Sequence, residues 1–152
     1  MRGTDEQQSD VFSCLSHEKR APKDHPLRDI RTMVDQVLAR LSRRFDGVYA
    51  SVGRPSIPPE KLLLAQLLQI LYTIRRERLL MEEMDCNLLF RWFVGLNADD
   101  EVWDPTTFTK NRDRLLQAGV AKEFFAHVEA QAGAQGLTSD EHFTVAGTLL
   151  EA

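Results

Sequence analysis

An all-α fold is what this sequence predicts: a bundle of about six helices with a helix-turn-helix-like unit, followed by one C-terminal β-strand. Three observations predict it. Apolar residues recur at spacings of three and four through the body of the chain. Prolines stand where helices would start, at Pro26, Pro58-Pro59 and Pro105. Only His142 to Ala152 changes to a strand-like rhythm, with Phe143, Val145 and Leu149 apolar and Gly147 interrupting it.

The elements follow in order. Residues 1–25 are polar and charged and are expected to form a flexible arm, with one short turn at Val11 to Leu15. A first helix is expected from Pro26 to Phe45, because Leu27, Ile30, Val34, Val37, Leu38, Leu41 and Phe45 share one face. Gly47 and Gly53-Arg54-Pro55 are expected to form a loop. A second helix starts at Pro58-Pro59-Glu60 and runs to about Ile74. Its apolar residues cover nearly the whole circumference, the pattern of a centrally buried helix. Two shorter helices are expected near Glu77 to Cys86 and Leu88 to Val94, with Gly95 ending the second. Asn97 to Trp103 is an acidic loop. Asp104-Pro105 then reads as N-cap and first helical position of a helix reaching Leu116. After Gly119 a sixth helix carries Val120, Phe124, Phe125 and Val128 toward Gly133. The division expected is an arm at 1–25, a helical domain at 26–133, and a linker and strand at 134–152. A lone strand leaves its backbone groups unpaired, so the chain reads as a helical module followed by the opening strand of a further domain.

Composition bounds the function. The 152 residues are 43% apolar and 28% charged with a net charge of −4, the profile of a globular protein. That charge does not announce a nucleic-acid partner, but it is uneven. Arg28 to Arg54 holds six Arg against three Asp, and Pro105 to Leu116 holds Lys110, Arg112 and Arg114 against Asp113. A mildly acidic protein can bind DNA through such a basic face. Cys14 and Cys86 are too few for a zinc site or a disulfide framework, which favours a reducing compartment. No secretory leader is visible. The most apolar run, Leu62 to Ile74, falls short of the roughly 20 residues that span a bilayer, so no membrane partner is expected.

The helix at Leu88, the turn after Gly95 and the helix at Pro105 suggest the helix-turn-helix-like unit. In such units the second helix enters the major groove with its N-terminal residues on base edges. Thr106, Thr107, Lys110, Asn111, Arg112 and Arg114 are the candidate DNA-binding residues. Lys and Arg supply phosphate contacts, and Asn and Arg read bases. An amphipathic helix with a solvated face is the alternative. Arg75-Arg76-Glu77-Arg78 is expected at the second helix's C-terminus, offsetting its dipole or touching phosphate. Arg40, Arg43 and Arg44 carry the same two readings. Phe90, Trp92, Phe93 and Trp103 read as core. Asp99-Asp100-Glu101 reads as a charged loop, and the four histidines form no ligand pattern.

Three separated blocks carry a resemblance: Gly53 to Glu60, Asn87 to Leu96 and Val102 to Leu115. In that order they resemble the N-terminal domain of bacterial insertion-sequence transposases of the DDE type. The resemblance extends from about Pro26 to the last residue. It implies DNA binding at element ends, a cytoplasmic bacterial setting, and a ribonuclease-H-like core using Mg2+ after the helices. In that family the following strand carries Val-Asp-Gly-Thr, whose Asp is the first metal-binding carboxylate. Here the matching residues are Val145-Ala146-Gly147-Thr148. The expectation is therefore a truncated transposase that binds DNA, has no catalytic or metal residues and no cofactor of its own, and does not cut. The alternatives are a protein–protein module, pairing with itself or inhibiting an intact transposase, and a decayed fragment without a selected role.

Overall fold

A computed structural model describes residues 1–6 and 16–138. Among the described residues there are seven helices and no strand: α1 (His17–Arg20), α2 (Pro26–Val48), α3 (Pro59–Leu71), α4 (Glu77–Cys86), α5 (Leu88–Val94), α6 (Pro105–Gln117) and α7 (Val120–Ala134). The expected strand at 142–152 and the expected turn at 11–15 lie outside the described residues. The added helix is α1, a single turn within the segment read as an arm.

α2 starts at Pro26, where His25 Nδ1 accepts from the Leu27 N–H at 3.1 Å. Leu27, Val34, Val37, Leu38, Leu41 and Phe45 are all buried on its inner face. The helix continues past Phe45 to Val48 and contains Gly47, which the sequence placed in a loop. Burial explains the extra turn. Val48 packs against the core and Tyr49 is only 8% exposed.

α3 is the centre of the molecule. Every residue from Pro59 to Leu68 is buried, Glu60, Lys61 and Gln66 included. α5 and α6 pack against it, and α4 packs on both of those helices. The helix ends at Leu71 rather than Ile74. Thr73 adopts φ 54, its N–H donates to Ile70 O at 3.2 Å, and the Ile74 N–H donates to Gln69 O at 2.9 Å. This pair of bonds satisfies the last carbonyls of the helix and folds Ile74 beneath its end, where it is 7% exposed. A β-branched residue at positive φ is uncommon, so the burial of Ile74 is what holds it there. Because the helix stops early, Arg75–Arg78 stand at the start of α4, with Arg76 as its N-cap. The last turn of α3 itself therefore contains no basic residue.

The N-terminal residues lie against this body. Met1 O accepts from the Ser56 N–H at 2.9 Å. Arg2 pairs with Asp46 at 2.5 Å and with the buried Glu60. α1 packs on α5 through a small charged cluster. Glu18 accepts from Arg28 Nη1 and from the Trp92 indole N–H, each at 2.5 Å, while the Arg28 guanidinium lies 4.9 Å from the Trp92 ring centre.

Two outcomes are expected. Leu68 is fully buried, so Leu68→Ala should cost about 2–5 kcal/mol through lost transfer energy and a residual cavity. Thermal unfolding followed by circular dichroism measures this, and an unchanged midpoint would remove α3 from the centre of the core. The second concerns acid. The hydrogen bond from Arg28, and then that from Trp92, hold the Glu18 carboxyl below the usual glutamate range. Its contribution is thus complete above that range and is lost as pH falls through the depressed value. The Trp92 indole N–H resonance should report α1 releasing in that acid window. Glu18→Gln should remove the titration; an identical titration in that variant would assign it to another group.

Candidate nucleic-acid interface

α6 is fixed in place before its outer face is considered. Asp104 caps it, its Oδ1 accepting from the Thr106 N–H at 2.8 Å and the Thr107 N–H at 3.4 Å. Pro105 occupies the first helical turn, where no N–H partner is needed. Phe108 and Leu115 are fully buried, and the Trp103 ring stacks on Phe108 with centroids 6.2 Å apart. α3, α4 and α7 are the main neighbours of α6. α5 and α6, the two helices of the expected helix-turn-helix-like unit, make little direct contact. The connection between them is long, and Arg91 binds it to α5 instead.

That connection shows why the acidic loop is structural. The Arg91 side chain is 5% exposed and donates to Asn97 O at 2.7 Å and Asp100 O at 3.0 Å, with Asp85 Oδ1 at 3.4 Å. Asp100 Oδ2 accepts from the Asn97 N–H at 2.8 Å. Among the described residues, no three His, Cys, Asp or Glu side chains come together as a metal site. No helix among them is long and apolar enough to cross a membrane.

Four of the six candidate residues reach the surface. Thr106, Thr107, Lys110 and Arg114 are exposed. Asn111 is not: it is 7% exposed and its Nδ2 donates to Thr107 O at 2.8 Å. A base edge cannot reach it without displacing the helix. Helical phase explains the difference, since Asn111 lies between Phe108 and Leu115 at spacings of three and four and shares their inward face. Arg112 is half-buried between partners. It pairs with Glu77 of α4 and, at 3.3 Å, with Asp113. Its guanidinium ties α6 to α4 rather than facing solvent.

Among the described residues, Lys110 and Arg114 form no ion pair within 4.0 Å. Arg114 lies 5.4 Å from the Tyr49 ring centre. Burial pushes the Tyr49 phenol up, and the Arg114 charge opposes that shift in part. Arg40, Arg43 and Arg44 on α2 are also exposed, and Arg44 pairs with Glu123 of α7 at 3.2 Å. The aromatic residues Phe90, Trp92 and Phe93 are buried as expected and offer no stacking platform. Sequence reasoning missed Arg91 and Tyr49. Arg91 has no apolar signal, being a charge at a core position, whereas Tyr49 continues the spacing of four from Leu41 and Phe45 and falls past the helix end expected at Phe45.

A family model described as Transposase domain (DUF772) matches residues 15–114. No curated protein and no solved structure matches the chain.

The cap of α6 can be tested by itself. Asp104→Ala removes the acceptor for two helix-end N–H groups and should cost about 1 kcal/mol. Asp104→Asn should retain most of that stability. Equal thermal midpoints for all three proteins would show that the cap does not set the start of α6.

Proposed function

We propose, from the premise that the chain belongs to the transposase-domain family DUF772, that its helical body binds duplex DNA and does not itself cut it. One observation carries this reading: α6 is held rigidly by its cap and core packing while it presents Thr106, Thr107, Lys110 and Arg114 outward. Exposed cations and hydroxyls on one helical stripe are what phosphate and groove contacts require. The sites proposed are these four residues, with Arg112 and Asn111 supporting the helix from behind.

Duplex binding of this kind is driven largely by release of counterions from phosphates, so it is weak on any sequence at high salt and strong at low salt. Base discrimination needs side chains at groove edges, and the two threonines near the N-terminus of α6 are the residues placed to supply it. The resemblance assigns strand cutting to a core that uses Mg2+. Two-metal phosphoryl transfer needs several carboxylates around ions about 4 Å apart. Ala146 stands at the place of the first such carboxylate, and the described residues gather no alternative set. Ala146 and the described residues supply no carboxylate set for that pair of ions.

A second reading, association with another protein chain, is favoured by Leu71, Tyr72, Leu79 and Leu88, each more than two-fifths exposed. Sedimentation with and without DNA separates the two: a stable dimer that ignores DNA would support this second reading.

Lys110→Gln with Arg114→Gln should weaken duplex binding on every sequence and flatten the salt slope by about 0.9 for each phosphate that is no longer neutralised. Arg112→Gln should lower the melting temperature and leave the slope unchanged. Mobility shifts across a salt series measure the binding and its slope, and thermal unfolding measures the stability. An unchanged slope in the double variant would move the DNA surface away from α6.

A further inference from the structure

α7 packs against both α2 and α6, and residues near the C-terminal ends of α2 and α6 line a common cleft. It is an open cleft of about 520 Å3, lined by Arg43, Arg44, Gly47, Arg114 and Gln117 among others. We infer that this cleft is a phosphate-binding site, filled by a phosphodiester of the DNA backbone that crosses the α6 stripe. The inference rests on the DNA-binding reading above and extends it to a second helix.

Three arginines from two helices line the cleft, the Arg114 guanidinium lying 5.4 Å from the Tyr49 ring centre. Arg43 and Arg114 form no ion pair among the described residues, and the Arg44–Glu123 pair at 3.2 Å is between exposed side chains, 57% and 37% accessible. A surface pair of that kind holds its partner weakly and can exchange for a phosphate oxygen. Asp46 is nearby in sequence but is engaged by Arg2. The local balance is therefore three cations against Glu123. Guanidinium groups match phosphate with two parallel N–H donors, a geometry that lysine lacks.

Helix-dipole compensation does not account for this gathering. Arg114 lies in the last turn of α6, but the last turn of α2 contains no basic residue, and Arg43 and Arg44 precede it. The dipole's influence fades within one turn of the end. Space is also available. A water's share of liquid volume is about 30 Å3, so the cleft accommodates a solvated phosphate. Gly47 stands inside α2, where glycine is a poor helix former, yet a Cβ there would meet nothing within 4 Å. The cleft is thus open above a bare helix backbone. Lys110, Arg114 and Gln117 recur at helical spacing, so the outward stripe of α6 leads into it, with a rise of about 6 Å from Lys110 to Arg114.

Gly47 supplies the test. Glutamate there sits at helical spacing from Arg43 and Arg44, and it can pair with both without a backbone clash. Full-length wild type, Gly47→Glu and Gly47→Ala are compared by mobility shift with a duplex over a salt series. Arginine Nε–H NMR follows a titration with inorganic phosphate. Wild type and Gly47→Ala should bind the duplex alike. Gly47→Glu should bind more weakly, with a slope shallower by about 0.9 to 2. Inorganic phosphate should shift the Nε–H signals of Arg43, Arg44 and Arg114, and Gly47→Glu should abolish the shifts. If Gly47→Glu keeps wild-type affinity and slope while Lys110→Gln still weakens binding, the cleft assignment is wrong and the DNA reading stands. If wild type binds no duplex but phosphate still shifts the three arginines, the site holds and its occupant is a free phosphate. Neither duplex binding nor phosphate shifts would overturn both readings.

Discussion

A helix that is apolar on every side must be surrounded on every side. α3 imposes that condition on the rest of this chain. Its buried residues, Pro59 to Leu68, leave no face for water, and exposing even a few leucines would cost several kcal/mol against a total stability of about 5–15. α5 and α6 therefore pack directly on it, with α4 behind them. The short helices α4 and α5 would be marginal in isolation. They persist because each closes part of the shell around α3.

Charged groups enter that shell only with partners. Arg91 is almost fully buried, yet backbone carbonyls of the following loop accept its N–H groups. A buried guanidinium without such acceptors would be strongly destabilising. Glu60 is likewise buried beside Arg2, a residue far away in sequence. Each of these groups fixes a segment with no regular structure of its own. Arg91 shapes the α5–α6 connection, Arg2 holds the first residues against α2 and α3, and Arg28 gathers the turn between α1 and α2 through Glu18, Ala21 and Pro22.

Most of the helical frame was readable in the sequence because it rests on local signals. Pro26, Pro59 and Asp104-Pro105 mark helix starts that the structure retains, and Gly95 ends α5 at φ 90. The errors arise where a distant contact overrides the local signal. Gly47 looks like a breaker, but the burial of Tyr49 extends the helix through it. Thr73 looks helical, but Ile74 has a better place under the helix end. The candidate site was readable in part for the same reason. Residue types singled out Lys110 and Arg114, which the structure leaves exposed, and helical phase alone could have turned Asn111 inward. The pairing of Arg112 with Glu77 depends on how α4 lies against α6, which no spacing within α6 reveals. Arg43 and Arg44 were noticed as charges, whereas the cleft they line together with Arg114 comes from how the helices pack.

The construction of α6 separates what the helix is from what it touches. Phe108, Asn111 and Leu115 with the Asp104 cap hold it to the body, and none of them lies on the outward stripe. Substitutions at solvent-facing positions usually change stability by less than about 0.5 kcal/mol. Thr106, Thr107 and Lys110 can therefore be exchanged with little effect on folding, whereas Arg114 also lies against the Tyr49 ring. On the DNA-binding proposal, a lineage carrying this scaffold is free to drift in what it recognises, one side chain at a time, without passing through an unfolded intermediate form. On the same proposal, that freedom makes these positions a natural library for selecting new targets on an unchanged frame.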